Sequence, residues 1–183
     1  DLCMIEHIPD MIDAGINSFK VEGRMKTALY VAVVTRTYRE AIDDYYTSRE
    51  LYESRMEHYK EEISACTFRQ FTTGFYYGKP NEETQIYDCN TYVKNRVYLG
   101  TVEEVAEDGS FIIHQKNKFC VGDAIEVMAF DGENIDVDVL SIRDEYGTEM
   151  ESAPHPKQLL HVKVSKPEKI QKGMIIRTRH CGA

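Results

Sequence analysis

The sequence predicts an α+β chain, namely the end of a (β/α) barrel (a strand–helix unit) followed by a small antiparallel β-barrel. Three observations predict this. A short strand-like stretch, Ser18–Val21, is followed by apolar residues at three- and four-residue steps from Leu29 to Tyr45. Past Pro80 that helical period gives way to short, strand-like runs. Glycine-containing turn dipeptides separate those runs, with no helical pattern between them, which suits a small closed barrel or a sandwich. The expected organisation is a carboxyl-terminal barrel portion at 1–50, a helical and aromatic-rich connector at 51–90, and a β-barrel accessory domain at 91–183.

In chain order, Asp1–Gly15 reads as a strand end and then a short helix. Ile8, Met11 and Ile12 have helical spacing, Pro9 suits a first turn, and Gly15 suits the position just past the last turn. Ser18–Val21 is the expected strand, and a helix of roughly five turns starts near Thr27. Ser48–Ser64 is helical and heavily charged, with Leu51, Met56, Tyr59 and Ile63 as its apolar contacts, which suits a surface or bridging segment. Phe68–Pro80 is dense in aromatics and broken by Gly74, Gly78 and Pro80. A base-stacking platform, a membrane-surface patch and an irregular packing loop all fit that composition. Strands are expected within Tyr92–Val105 and at Phe111–His114, Ala124–Phe130, Ile135–Ile142, Leu159–Val164 and Met174–Thr178. The 144–157 segment, with Pro154 and Pro156, is the expected long loop.

Composition bounds the function. The 183 residues are 42% hydrophobic and 29% charged, as in a globular protein, and no apolar run reaches the roughly 18 residues of a membrane span. The chain begins at Asp1 inside an apolar run, so a piece of a longer protein is expected. Its net charge of −9 is evenly spread and offers no basic domain, so nucleic-acid binding would need a local patch. The five cysteines, Cys3, Cys66, Cys89, Cys120 and Cys181, have no Cys-x-x-Cys spacing, which suits reduced thiols in the cytoplasm.

The chemistry concentrates at Asn17–Thr27. There Lys20, Glu22, Gly23 and Arg24 crowd the junction between the expected strand and helix, where α/β folds bind ligands. Gly23 would admit close approach or a positive φ, and Arg24 offers a planar fork to a carboxylate or phosphate. A turn in which Arg24 pairs with Glu22 or Asp43 is the structural alternative. Arg69, Phe75, Tyr76, Tyr77 and Lys79 are candidate RNA or partner contacts. Cys3 and His7 would share a helix face only if the helix began early. Cys66, Cys89 and Cys120 would be nucleophiles only if a histidine approached them.

The runs Asp1–Ile5, Ile8-Pro9, Ala14–Ile16, Phe19–Lys26 and Tyr30–Ala32, with Thr72–Pro80 and the β-rich tail, closely resemble the peptidase U32 family. Its members are often labelled collagenase-like proteases. The resemblance implies an amino-terminal (β/α) barrel whose last portion is 1–50, then a small β-barrel. The branch with this kind of tail looks like the proteins required for hydroxylating a wobble uridine in tRNA. Relatives hold an iron–sulfur cluster on four cysteines, and the last of these maps onto Cys3. The other three would lie upstream, so no cofactor is expected in this fragment, which should be inactive alone. The implied partners are tRNA or a protein substrate, and a second U32-type subunit. A protease using its β-barrel for substrate recognition, or a non-catalytic interaction module, are the alternatives.

Overall fold

A computed structural model describes residues 1–66, 71–79 and 96–179. They fall into two compact units, Asp1–Asn95 and Arg96–Ala183.

The first unit is helical among the described residues. A 3-10 turn at Ile5–His7 leads into α1 (Ile8–Asp13), with Pro9 in its first turn. Gly15, at φ +76°, ends the helix. Its N–H donates to the Ile12 carbonyl at 2.9 Å while the Ile16 N–H reaches the Met11 carbonyl at 3.1 Å, the paired bonds of a Schellman motif. α2 (Ala28–Thr47) starts where the Thr27 hydroxyl accepts the Tyr30 N–H at 3.2 Å. Ser48 then caps α3 (Arg49–Ser54) through the Leu51 N–H, and α4 (Met56–Ser64) follows. The core gathers Ile5, Ile8, Ala41, Tyr52, Tyr59 and Ile63.

Two expectations need correction here. Ser18–Val21 forms no strand, and residues 16–23 have no regular structure. A parallel strand takes its hydrogen bonds from neighbours on both sides. Among the described residues the unit offers only one parallel bridge, Leu2 to Thr72. The charged Ser48–Ser64 segment is also not a surface strut. It buries Tyr52, Tyr59, Glu62 and Ile63, because its tyrosines and ion pairs satisfy their polar ends. Tyr52 donates to the Ile5 carbonyl at 2.7 Å, Tyr59 to the Asp44 carboxylate, and Glu62 accepts from Arg36 at 3.2 Å.

The second unit is a closed six-stranded antiparallel barrel. Its strands are β1 (Tyr98–Val105), β2 (Phe111–Gln115), β3 (Ala124–Met128), β4 (Ile135–Arg143), β6 (Leu159–Val164) and β7 (Ile175–Thr178), with the two-residue β5 (Glu149–Met150) on the side of β4. The order β3-β7-β1-β2-β6-β4 closes because β3 also pairs with β4. All six expected strands form; residues 92–95 of the first lie outside the described residues. Apolar residues alternate inward, as at Leu160, Val162 and Val164 on β6. On β4 the inward set steps Val137, Val139, Ile142, because a register shift between Val139 and Ser141 inserts one residue. At Gly100 a Cβ would come within 2.6 Å of the His114 carbonyl oxygen, so only glycine lets β1 and β2 approach there. The expected loop at 144–157 holds β5 and an isolated bridge from Ser152 to Cys120.

One polar cluster is buried in this barrel. Glu126 on β3 accepts from Arg96, from Arg177 on β7 at 2.7 and 3.0 Å, and from Asn134 at 2.8 Å. Glu126→Ala removes the carboxylate that two buried guanidinium groups share, and we expect a loss of about 3–5 kcal/mol in denaturant unfolding of the barrel. A loss below about 1 kcal/mol would show that the cluster relaxes freely into water.

The tyrosines of the first unit set its alkaline limit. Burial pushes Tyr52 up to about 12, and pushes Tyr38 and Tyr59 further in the same direction. An unfolded tyrosine releases its proton near 10, so between these values the unfolded chain has lost protons that the folded chain retains. Stability is therefore fully present below pH about 10 and falls as pH rises through about 12. Far-UV circular dichroism should show helix loss in that window, and a helical signal unchanged throughout it would refute the assignment.

Candidate functional site

The Asn17–Thr27 loop is the first candidate. Lys20, Glu22 and Arg24 are all exposed. Glu22 folds back so that its Oε1 accepts the Arg24 backbone N–H at 2.9 Å, and the Gly23 carbonyl accepts the Lys26 N–H at 3.0 Å, which closes a tight turn. Both structural alternatives for Arg24 are thereby corrected. Glu22 bonds the backbone rather than the guanidinium, and Asp43 is gripped by Arg39 at 2.5 and 2.9 Å. Among the described residues the Arg24 side chain makes no ion pair and faces water. Gly23 does not take a positive φ; its role is steric, since a Cβ there would lie 2.8 Å from Val31 Cγ2. Behind the loop, Phe19 and Val21 line a groove of about 380 Å³ with Ile12, Tyr38, Ile42 and Tyr46.

Cys3 lies half-buried beside the start of the same unit. Its Sγ is 3.7 Å from the Tyr38 hydroxyl, which also accepts the Met4 N–H at 2.8 Å. Burial first, and then the Cys3 thiol, push Tyr38 up. Tyr30 is pushed up by burial, then by Cys66 and Cys3. Cys3 also lines a cavity of about 290 Å³ with Ile5, Ile63, Phe71 and Thr72. Cys66 is buried and donates to the Ile63 carbonyl at 3.1 Å, which makes it a structural thiol. Cys120 is half-buried near β3, and Cys89 lies outside the described residues. Among the described residues no group of three or more His, Cys, Asp or Glu side chains could hold a metal. Among the described residues the cysteines do not fit an iron–sulfur cluster, because Cys66 is held on the Ile63 carbonyl and no group of ligands gathers at Cys3.

His7 does not join Cys3. Its ring lies 4.3 Å from that of Tyr77 and its Nδ1 is 3.4 Å from Asp10 Oδ2, while the Tyr77 hydroxyl donates to the same carboxylate. That hydroxyl bond is the main reason Asp10 is held below its ordinary value and Tyr77 above its own. Sequence spacing gives no sign of this trio, since Tyr77 lies far along the chain from Asp10. Phe75, Tyr76 and Lys79 stand in the exposed turn beside it, and Arg69 lies outside the described residues.

The barrel has a polar groove of about 360 Å³ lined by Asp108, Ser141, Arg143, His161 and Lys163. Its charges answer one another: Lys163 meets Asp108 at 2.8 Å and Arg143 meets Glu149 at 2.9 Å. The Lys163 bond, then those from Ser110, hold Asp108 well below the usual carboxylate range. His155 is exposed in the proline loop.

Two sequence profiles cover this geometry. Residues 1–86 match peptidase family U32, and 94–177 match the peptidase family U32 C-terminal domain. The chain belongs to peptidase family U32. It is similar to the tRNA hydroxylation protein P1 of Bacillus subtilis, 36% identical over 167 residues that cover 91% of this chain and 39% of that protein. A collagenase of Porphyromonas gingivalis is 34% identical over 101 residues, covering 55% of this chain and 24% of that one. The crystal structure of the C-terminal domain of a Geobacillus thermoleovorans U32-family protein is 28% identical with a TM-score of 0.41, covering 45% of this chain and 92% of that one. The chain spans well under half the length of the Bacillus subtilis and Porphyromonas gingivalis proteins. No described helix is long and apolar enough to cross a membrane.

Because Arg24 makes no ion pair among the described residues, Arg24→Lys should leave unfolding free energy within about 0.5 kcal/mol. Gly23→Ala should cost about 1–3 kcal/mol, because its methyl meets Val31. Thermal melts of both variants check this; a marked drop for Arg24→Lys would make the arginine a strut.

Proposed function

We propose that this chain is the carboxyl-terminal part of a U32-type protein that supports hydroxylation of the wobble uridine of tRNA in the cytoplasm. The observation that carries this is the similarity to a tRNA hydroxylation protein along 91% of the chain. The geometry supports it through a loop in which Arg24 is exposed and, among the described residues, makes no ion pair, while the Glu22 carboxylate is bonded to backbone. A guanidinium in that state grips a phosphate or carboxylate bidentately, where lysine acts as a point charge. Lys20 adds a second cation to the loop. In the intact protein Cys3 would be one thiolate of an iron–sulfur site completed by other cysteines, the loop would lie at the end of a (β/α) barrel, and the β-barrel would bind substrate or a second U32-type subunit. A collagenase-like protease is the second reading, favoured by the similarity to the Porphyromonas gingivalis protein over 55% of the chain.

The test is nucleoside mass spectrometry of tRNA from a strain lacking the gene, complemented with intact variants. Deletion should abolish wobble-uridine hydroxylation. A charge-assisted bond contributes about 1.5–3 kcal/mol, so Arg24→Lys should lower the rate roughly ten- to a hundredfold. Cys3→Ala should lower the iron content of the anaerobically purified intact protein. Undiminished hydroxylation on deletion, together with cleavage of denatured collagen by the pure protein, would replace this reading with the protease.

A further inference from the structure

Phe75 and Tyr76 are 79% and 66% exposed, on a turn that the fold nonetheless holds in place. Thr72 anchors its root: the Thr72 N–H donates to the Asp1 carbonyl at 2.9 Å, and the Thr72 carbonyl accepts the Cys3 N–H at 3.0 Å. The turn closes through the Tyr76 N–H on the Thr73 carbonyl at 3.2 Å and the Gly74 N–H on the Thr72 hydroxyl at 3.1 Å. Gly74 at φ +59° and Gly78 at φ +140° supply backbone that side-chain-bearing residues rarely adopt. Tyr77 is turned the other way, with its ring against His7 and its hydroxyl on Asp10. Tyr77, itself 55% exposed, thereby fastens the two neighbouring rings to α1.

We propose that the Thr73–Lys79 turn is a stacking platform for unpaired bases of RNA, presented by Phe75 and Tyr76 and clasped to α1 through Tyr77. This rests on the reading of the chain as a tRNA-acting protein. Two features of the turn favour RNA over a protein partner. The first is charge. Phe71–Lys79 contains no carboxylate in a chain of 31 acidic residues, and Lys79 is its one charge. Among the described residues a carboxylate that meets the turn, Asp10, is occupied by the Tyr77 hydroxyl and by His7. The second is shape. Two rings on a narrow turn between Thr73, Gly74, Gly78 and Lys79 suit insertion against flat bases, whereas a protein interface needs a broad apolar centre. A clasped turn also loses less freedom on binding than a loose one, which favours affinity without new contacts.

Fluorescence anisotropy with the full chain tests this, using a short uridine-rich single strand and a fully paired RNA hairpin as probes. The single strand should bind more tightly. Phe75→Ala with Tyr76→Ala should weaken it about tenfold or more while the hairpin is little affected, and Tyr76→Phe should keep binding because the ring remains. Lys79→Ala should reduce the salt slope by about one. Both rings are exposed, so the double variant should keep the parental melting temperature, and that is measured alongside. Parental affinity in the double variant, or equal binding of both probes, overturns the platform. If the intact double variant still hydroxylates tRNA fully where deletion abolishes it, the platform fails and the functional reading stands. If deletion leaves tRNA hydroxylated, the functional reading fails, and binding alone decides the platform.

Discussion

Glu126 sits on the strand that closes the barrel, and its carboxylate lies between two guanidinium groups with almost no water. β3 must hydrogen-bond to β4 on one side and β7 on the other. Glu126 and Arg177 are direct partners in the β3–β7 register, while Ile125 and Val127 face the apolar interior beside Ile176. A slip of one residue would turn Arg177 into that interior and Ile176 out of it. Desolvating each ion costs several kcal/mol, so the cluster is poor evidence of net stability. Its consequence is the cost of any other register, since every alternative leaves buried charge without its partner. The apolar core would tolerate several pairings, whereas the ion cluster permits one.

The helical unit is fixed by the same logic with hydroxyls in place of charges. Tyr38, Tyr52 and Tyr59 each bury a ring among aliphatic residues and carry the hydroxyl to a defined partner: the Met4 N–H, the Ile5 carbonyl and the Asp44 carboxylate. Tyr52 and Tyr59 also stack at 5.9 Å. Three short elements around one long helix would have many near-equivalent packings if their contacts were only aliphatic. Directional bonds from rigid aromatic side chains remove most of them. This is why so charged a segment as Ser48–Ser64 packs inward: its polar atoms find partners on α2 and on the first turn.

Where the sequence carries its own period, the structure could be read from it. α2 from Thr27, the stop at Gly15 and all six barrel strands follow from spacing, capping and turn chemistry, which are local. What depends on partners distant in the chain was not legible. Ser18–Val21 has strand composition, yet a parallel strand exists only with neighbours. The inward packing of Tyr52 depends on Ile5, and the Tyr77–Asp10–His7 trio joins residues that no window contains. β5 escaped because two residues carry no period. For the site, the crowding of Lys20, Glu22, Gly23 and Arg24 was visible in the sequence. The division of roles, with Glu22 bonded to backbone, Gly23 packed against Val31 and Arg24 left open, required coordinates.

An acidic chain can still present a site for an anion, because the distance over which charge acts is short. At physiological ionic strength the screening length is about 8 Å, so carboxylates elsewhere on a chain of net charge −9 contribute little at one loop. What counts is the local set. Between Asn17 and Thr27 there are three cations, Lys20, Arg24 and Lys26, against the single carboxylate of Glu22. Lys26 is drawn toward Asp1 at 3.7 Å and over the Tyr30 ring at 5.0 Å, which holds it at the base of the turn. Glu22 is turned onto the Arg24 backbone N–H and so anchors the turn instead of quenching the guanidinium. The loop therefore places its one acid where it shapes the backbone and leaves the arginine facing solvent.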